Sequence, residues 1–595
     1  MNGWIGPVFV VLVTLAAAGL PSCGGGTKVL EPVDVPAADL DVPPLTDVPA
    51  DAPADVPVDL PGDPAPADVL PDLPADVAPD VPLSPVCEDG VPRRPFQAAD
   101  GSTSLFAPAA DITIPTTDGP WNLQANWTGC ESLLFLQDRP AQNAGWPDTL
   151  FTYNVNTFLY ALPRTAHVFF ISMRAPVADG QTALAELKIR VEKVLGYLAP
   201  ADADLLRRHI HYVSDNGRSL PGWLGELMRA PGWGVGIDRF QRIRYVGSYA
   251  DYGQYDATKQ WFAPNLRMAA NEPVYYDFEV TREAALVAKK ATVVEAFKGE
   301  VLSDPGWAGT RGTVEVALPD ATAMAAFDTL ELDLTLACNG TGEYGTCPAW
   351  DYIVNLYLCD RDAPDQCDVE LGRWITTYHR WGRWVHDVSP LLPLLKDGGT
   401  RRLAFYTQQA YRVGLSLRLS NAGRATVPSE ATPLFSGGDF GPAYNDGRLP
   451  RTVPIPADAK RVTLAITVTG HGGAQPGNCA EFCSPDHHFS VNGNDHVVQF
   501  TEPGDPEGCM RQTAQGTVPN QYGTWWYGRD GWCPGREVPM QVIDVTDDVT
   551  PGQDATFEYR GFYQGAPYPS GGASIVLASW LVVERQPPSP VAFQH

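Results

Sequence analysis

The chain has 595 residues, 10% of them aromatic, and a net charge of −28. That length exceeds what one hydrophobic core organises, so three or more folded units are expected. The acidic balance argues against nucleic acid as a partner, because binding phosphates requires a basic surface.

The N-terminus reads as an export signal. Val8 to Ala18 is apolar and too short to span a bilayer as a mature helix. Leu20-Pro-Ser-Cys23 resembles a bacterial lipoprotein cleavage box, with Cys23 as the lipidated residue. Pro21 and the absence of a basic residue before the apolar run depart from that box, and ordinary secretion is the alternative. Residues 1–22 are read as signal peptide. The expectation is export across the inner membrane and a lipid anchor in the outer membrane or at the cell surface, the only membrane contact.

Residues 23–86 form a linker. From Glu31 to Val86 there are 12 Asp and 15 Pro, with no aromatic and no basic residue. Such a segment buries too little apolar surface to order itself. Proline and like charge extend it at ~3.1 Å per residue, a stalk on the order of 100 Å long.

Residues 87–270 change character. Ser132-Leu-Leu-Phe-Leu, His167-Val-Phe-Phe-Ile-Ser and His209-Ile-His-Tyr-Val read as strands, Thr182 to Leu198 as a helix, and Gly234 to Gly247 as a hairpin. The alternation predicts an α/β module, and its closing hairpin resembles that of a thioredoxin-type fold. Between 120 and 252 there is no Cys-x-x-Cys, so redox chemistry is not expected and a binding or spacer role is. Residues 271–305 read as a connector with a helix at Arg282 to Phe297.

From Gly312 onward short alternating strands dominate, as in a sandwich. A weak repeat links Asp387-Val-Ser with Asp544-Val-Thr, each leading through a short turn to a returning strand. The pattern predicts two related β-sandwiches at 306–421 and 432–584.

Eleven cysteines are present. With Cys23 set aside, ten remain, an even number suited to an oxidising compartment. Proximity pairs Cys338–Cys347, Cys359–Cys367 and Cys479–Cys483; elimination leaves Cys509–Cys533 and Cys87–Cys130. Two of these loops present an acid beside an aromatic. Asp351 follows Trp350 just after the Cys338–Cys347 loop and before an apolar strand. Glu481 sits inside Cys479-Ala-Glu-Phe-Cys483. Rigid carboxylates of this kind suit acid–base catalysis; the same spacing also fits two stapled surface loops with incidental acids.

Several stretches decide between these. Cys347-Pro-Ala-Trp-Asp-Tyr, Glu370-Leu-Gly-Arg-Trp-Ile-Thr, Asp387-Val-Ser, Gly470-His-Gly, Cys479-Ala-Glu-Phe-Cys and Arg529-Asp-Gly-Trp-Cys-Pro-Gly together resemble the bacterial peptide-N-glycosidase F family over about 311–584. The resemblance implies a mainly β fold of two eight-stranded antiparallel jelly rolls in tandem. It implies hydrolysis of the amide between asparagine and the first N-acetylglucosamine of an N-linked glycoprotein or glycopeptide. Asp351 matches the principal catalytic carboxylate and Glu481 the second essential acid. Arg529 matches an arginine that contacts sugar and acids, and His471 and Trp350 match positions lining the cleft. The resemblance also implies the pairs Cys338–Cys347, Cys479–Cys483 and Cys509–Cys533. Two positions depart: Tyr352 stands where the family has arginine, and Gln408 where it has a third acid. Substrate binding is assigned to Trp350, Arg529, His471, Gln408, Tyr352, Phe482 and Trp532.

In this scheme Asp351 activates water, Glu481 tunes it, and Arg529 or His471 stabilises the developing oxyanion. The histidines at 471, 487, 488 and 496, with Met510, invite a copper reading by analogy with jelly-roll monooxygenases. Adjacent histidines on a strand face opposite ways, so no metal or other cofactor is assigned. A glycan-binding protein without turnover is the competing class. A monomer is expected.

Overall fold

The computed structural model describes residues 84–138, 151, 155–229, 234–246, 266–302, 309–340, 347–521 and 524–587. The export signal, Cys23, most of the stalk and the glycine-bearing stretch 341–346 lie outside the described residues.

An α/β unit comes first. Its mixed sheet contains β1 (Ser132–Asp138), β2 (Ala166–Ser172), β3 (Ile210–Tyr212), β4 (Gly234–Ile237) and β5 (Ile243–Val246), in spatial order β3-β2-β1-β4-β5. β1, β2 and β3 are parallel; β4 runs antiparallel to β1, and β5 to β4. The continuous apolar runs of β1 and β2 are those of strands covered on both faces. Helix α1 (Val177–Leu195) covers one face through Leu184, Leu187, Val191 and Leu195, the stripe its three-to-four spacing predicts.

The connector differs from expectation. Helix α2 spans Asn271–Ala288, and strand β6 occupies Thr292–Leu302 where helix was expected to reach Phe297. The helix stops because Lys290 is left-handed (φ 49°). The β-branched Thr292-Val-Val that follows favours extended chain, and pairing with the first sandwich fixes it there. That sandwich therefore starts at Thr292 rather than 306.

The first sandwich continues with β7 (Thr310–Asp320), β8 (Thr329–Ala337), β9 (Ile353–Cys359), β10 (Cys367–Ile375), β11 (Gly382–Asp387), β12 (Gly398–Thr407) and β13 (Tyr411–Ser420). Its sheets run β11-β8-β13-β6 and β10-β9-β12-β7. The second contains β14 (Val427–Phe440), β15 (Arg451–Pro454), β16 (Arg461–His471), β17 (Asp486–Val491), β18 (Asn494–Val498), β20 (Gln541–Asp544), β21 (Asp554–Phe562) and β22 (Ala573–Arg585). Its sheets run β20-β16-β22-β14 and β18-β17-β21-β15. Numbered within each sandwich, both read 6-3-8-1 over 5-4-7-2, the jelly-roll order. The short repeat seen in the sequence is one corner of this duplication: β11 and β20 each lead through a 3₁₀ turn, at Ser389–Leu395 and Thr546–Asp548, to the seventh strand.

The fold is tied together across these parts. Strand β19 (Arg536–Glu537), from the second half, extends the first sandwich's sheet by pairing with Trp374 and Ile375 of β10. One continuous apolar core holds Leu134 and Phe170 of the α/β unit, Tyr275 and Tyr276 of α2, and Leu332, Trp374 and Leu417 of the first sandwich. The α/β unit is thus packed onto the sandwich, not held apart as a spacer. All five disulfides pair as counting cysteines predicted.

Candidate active site

Four loops build the site, two equivalent ones from each sandwich. Asp351 precedes β9 in the loop between third and fourth strands, and Glu481 occupies the same loop of the second sandwich. Tyr378 lies between the fifth and sixth strands of the first sandwich, and Arg529 between the fifth and sixth of the second.

Local bonding fixes each acid. Thr376 spans the backbone around Asp351: its Oγ1 accepts from the N–H of Tyr352 at 2.8 Å and donates to the carbonyl of Trp350 at 2.7 Å. The N–H of Glu481 donates to Gly472, and its carbonyl accepts from the N–H of Asp530 at 2.9 Å. Gly470 leaves room for this crossing, since a Cβ there would stand 2.2 Å from the carbonyl oxygen of Ala480 and 2.5 Å from Asp530 Oδ2.

The Arg529 guanidinium, only 1% exposed, lies between the two carboxylates. Its Nη2 is 3.6 Å from Asp351 Oδ2, and its Nε donates to Glu481 Oε1 at 3.2 Å. The Tyr378 hydroxyl donates to Asp351 Oδ2 at 2.6 Å and accepts from Arg529 Nη2 at 3.4 Å. The remaining donors of Arg529 go to the carbonyls of Thr524 and Tyr527 and to Thr524 Oγ1. Five N–H groups are thereby engaged. As bonded, Arg529 offers the site its positive charge.

Asp351 and Glu481 keep 17% and 21% of their side chains exposed, so water reaches both. Burial raises the Asp351 pKa, opposed by the charge of Arg529 and the Tyr378 hydrogen bond. Burial pushes Glu481 up to about 7, with Arg529 opposing and the neighbouring Asp351 charge adding. Two carboxylates sharing one cation are thus weaker acids than usual, and Glu481 exchanges its proton near neutrality.

The other predicted residues divide. Trp350 is 51% exposed and presents its indole to solvent. Phe482 packs under Arg529, its ring centre 5.2 Å from the guanidinium carbon. Trp532 is buried between Arg529, at 5.0 Å, and the stacked His471 ring, and donates to the Gly470 carbonyl. It is a wall of the site, without a free face for a sugar. His471 Nε2 is 2.8 Å from Thr469 Oγ1. Burial and the charges of Arg373 and Arg529 lower its pKa to about 3, so it is neutral. Gln408 follows β12 at the sheet end where Asp351 precedes β9, but the side-chain bonds of the acids run to Tyr378 and Arg529. The other histidines separate, as opposite faces require: His487 is buried against Tyr559 and Asp530, His488 meets Asp495, and His496 meets Asp548.

Comparison with known proteins bears on this geometry. Residues 440–582 match the family described as "Peptide-N-glycosidase F, C terminal". Over that stretch the chain is similar to the C-terminal part of peptide-N-glycosidase F. That stretch carries Glu481, Arg529, His471, Phe482 and Trp532. The chain is 26% identical over 269 residues to the peptide-N(4)-(N-acetyl-beta-D-glucosaminyl)asparagine amidase F of Elizabethkingia miricola, covering 41% of this chain and 71% of that protein. The solved PNGase F of Flavobacterium meningosepticum, described as a glycosylasparaginase, is 19% identical, with a TM-score of 0.40, over 50% of this chain and 96% of its own. PNGF-II is 17% identical, with a TM-score of 0.38, over 52% of this chain and 67% of its own.

Tyr378 and Thr376 were missed from sequence. They stand at the end of, and just beyond, the quoted Glu370–Thr376 stretch, and only the pairing of β9 with β10 shows that this end of β10 meets Asp351.

Proposed function

We propose that this protein is an extracytoplasmic amidase that hydrolyses the bond between asparagine and N-acetylglucosamine in N-linked glycoproteins or glycopeptides. The observation that carries the proposal is the Arg529 bridge between Asp351 and Glu481, formed by equivalent loops of two sandwiches. In this mechanism the Asp351 carboxylate, held by Tyr378, orients and deprotonates a water for attack on the amide carbon. Glu481, protonated for part of the time near pH 7, gives a proton to the departing glycosylamine nitrogen. Arg529 steadies the pair by charge, neutral His471 and Trp532 wall the site, and exposed Trp350 offers a stacking face to sugar. Five disulfides suit an oxidising compartment. Anchoring through Cys23 belongs to the same proposal.

The test is incubation with a denatured N-glycoprotein followed by mass spectrometry. The expected result is released glycan and conversion of the glycosylated Asn to Asp. A specific observation favours a second reading: Tyr352 and Gln408 replace the family's Arg and acid. Retained glycan binding with unconverted Asn would select a binding protein without turnover.

A further inference from the structure

The long connection of the second sandwich that carries Arg529 also holds the first sandwich beside Asp351. Gln521 lies in it and is fully buried. Its Oε1 accepts the Tyr378 N–H at 3.0 Å, and its amide nitrogen donates to the carbonyls of Val518 at 2.6 Å and Pro534 at 2.7 Å. Both amide protons are thereby used within the second sandwich, while the oxygen reaches across to the first. Gly535 adds to the hold. Its N–H is shared between the carbonyls of Ile375 at 3.1 Å and Thr376 at 3.2 Å, and its own carbonyl accepts from the Val518 N–H and Trp384 Nε1, each at 2.9 Å. Gly535 is left-handed (φ 78°), and a Cβ there would stand 2.5 Å from Gln521 Nε2 and 2.6 Å from Thr377 Cγ2, so glycine is required. The segment 375–378 held in this way contains both groups that fix Asp351: Thr376, which spans its backbone, and the Tyr378 hydroxyl, which donates to its Oδ2.

We propose that Gln521 is a positioning residue, through which the second sandwich holds the Tyr378 hydroxyl of the first on Asp351. This rests on the assignment of Asp351 above. Tyr378 is buried, so once Gln521 is replaced by an apolar side chain its N–H has lost its acceptor away from water, and the backbone shifts to recover one. The Tyr378 ring moves with that backbone, and Asp351 loses the hydroxyl that stabilises its ionised form.

The test compares Gln521→Met, Tyr378→Phe and their combination in the full chain. Methionine matches the reach of glutamine without its amide. The acid limb of the cleavage profile should move to higher pH in each single variant. At pH values below that limb kcat should fall about tenfold, the effect of one pKa unit, with KM little changed. The combination should move no further than Tyr378→Phe alone. A second readout needs no turnover: carbon-13 NMR titration of the Asp351 carboxyl, assigned by its loss in Asp351→Asn. Its midpoint should rise in Gln521→Met. If that variant does not fold, Gln521→Glu keeps an acceptor for the Tyr378 N–H, gives the Val518 and Pro534 carbonyls at most one donor in place of two, and should show a smaller rise. An unchanged midpoint in the folded variant overturns the inference whether or not the wild type cleaves; absent cleavage alone counts against the amidase assignment.

Discussion

Burial raises the pKa of both carboxylates, and Arg529, their shared counter-charge, opposes that rise. Asp351→Asn keeps size and hydrogen-bonding reach but cannot activate water. Cleavage should fall at least ~10²–10⁴-fold, with melting temperature and glycan binding largely retained; near-normal turnover would return Asp351 to a structural role. Glu481 makes a pH-dependent prediction. Its folded pKa, about 7, lies above the ordinary 4.5. The stability it contributes is therefore full below about pH 4.5 and lost as pH rises through about 7. Glu481→Gln does not ionise, so its melting temperature relative to wild type should improve from pH 5 to pH 8. The same substitution should lower the rate and remove a basic limb near neutrality. Both acids were legible in sequence because a stapled loop beside an aromatic is a local pattern. Tyr378 was not, because its role depends on which strand ends meet. Trp532 was legible as a site residue, but its burial was not.

At the scale of elements, the Cys479–Cys483 loop is the shortest staple and carries Glu481. Closing it removes conformations the chain would otherwise sample. Replacing both cysteines with serine should lower cleavage by more than the accompanying change in melting temperature explains. Equal activity in that variant, measured on the same glycopeptide, would show that backbone bonds from Gly472 and Asp530 hold Glu481 unaided. Elements were legible where periodicity was strong: Leu330, Leu332, Leu334 and Leu336 of β8 alternate in sequence and are all buried. The helix expected over Arg282–Phe297 was displaced because apolar Val293, Val294 and Phe297 fit helical spacing as well as strand alternation. Tertiary pairing decided: Val294 lies opposite Leu417 and Phe297 opposite Leu415. Helix propensity is weak against such pairing.

On the scale of the whole molecule, duplicated sandwiches place the same two loops of each copy against each other, so each half supplies one acid and one partner. The repeat around Asp387 and Asp544 made the duplication legible, but the inter-sandwich seam left no local signal. Arg373 shows why. It is fully buried on β10, pairs with Glu370 through both carboxylate oxygens, and donates to Thr469 Oγ1 at 2.9 Å and the Val576 carbonyl at 2.7 Å in the second sandwich. With β19 in the first sheet and a core shared with the α/β unit, the wild type should melt as one cooperative transition in calorimetry. Arg373→Ala leaves Glu370 without its charge partner and opens the seam, a cost of about 3–5 kcal/mol if the pair behaves as a buried one. The variant should melt earlier and in two separated steps, and cleavage should be lost at temperatures where each sandwich is still folded, because Asp351 and Arg529 no longer share a frame. A single transition at the wild-type temperature would show that β19 and the apolar core join the halves without this arginine.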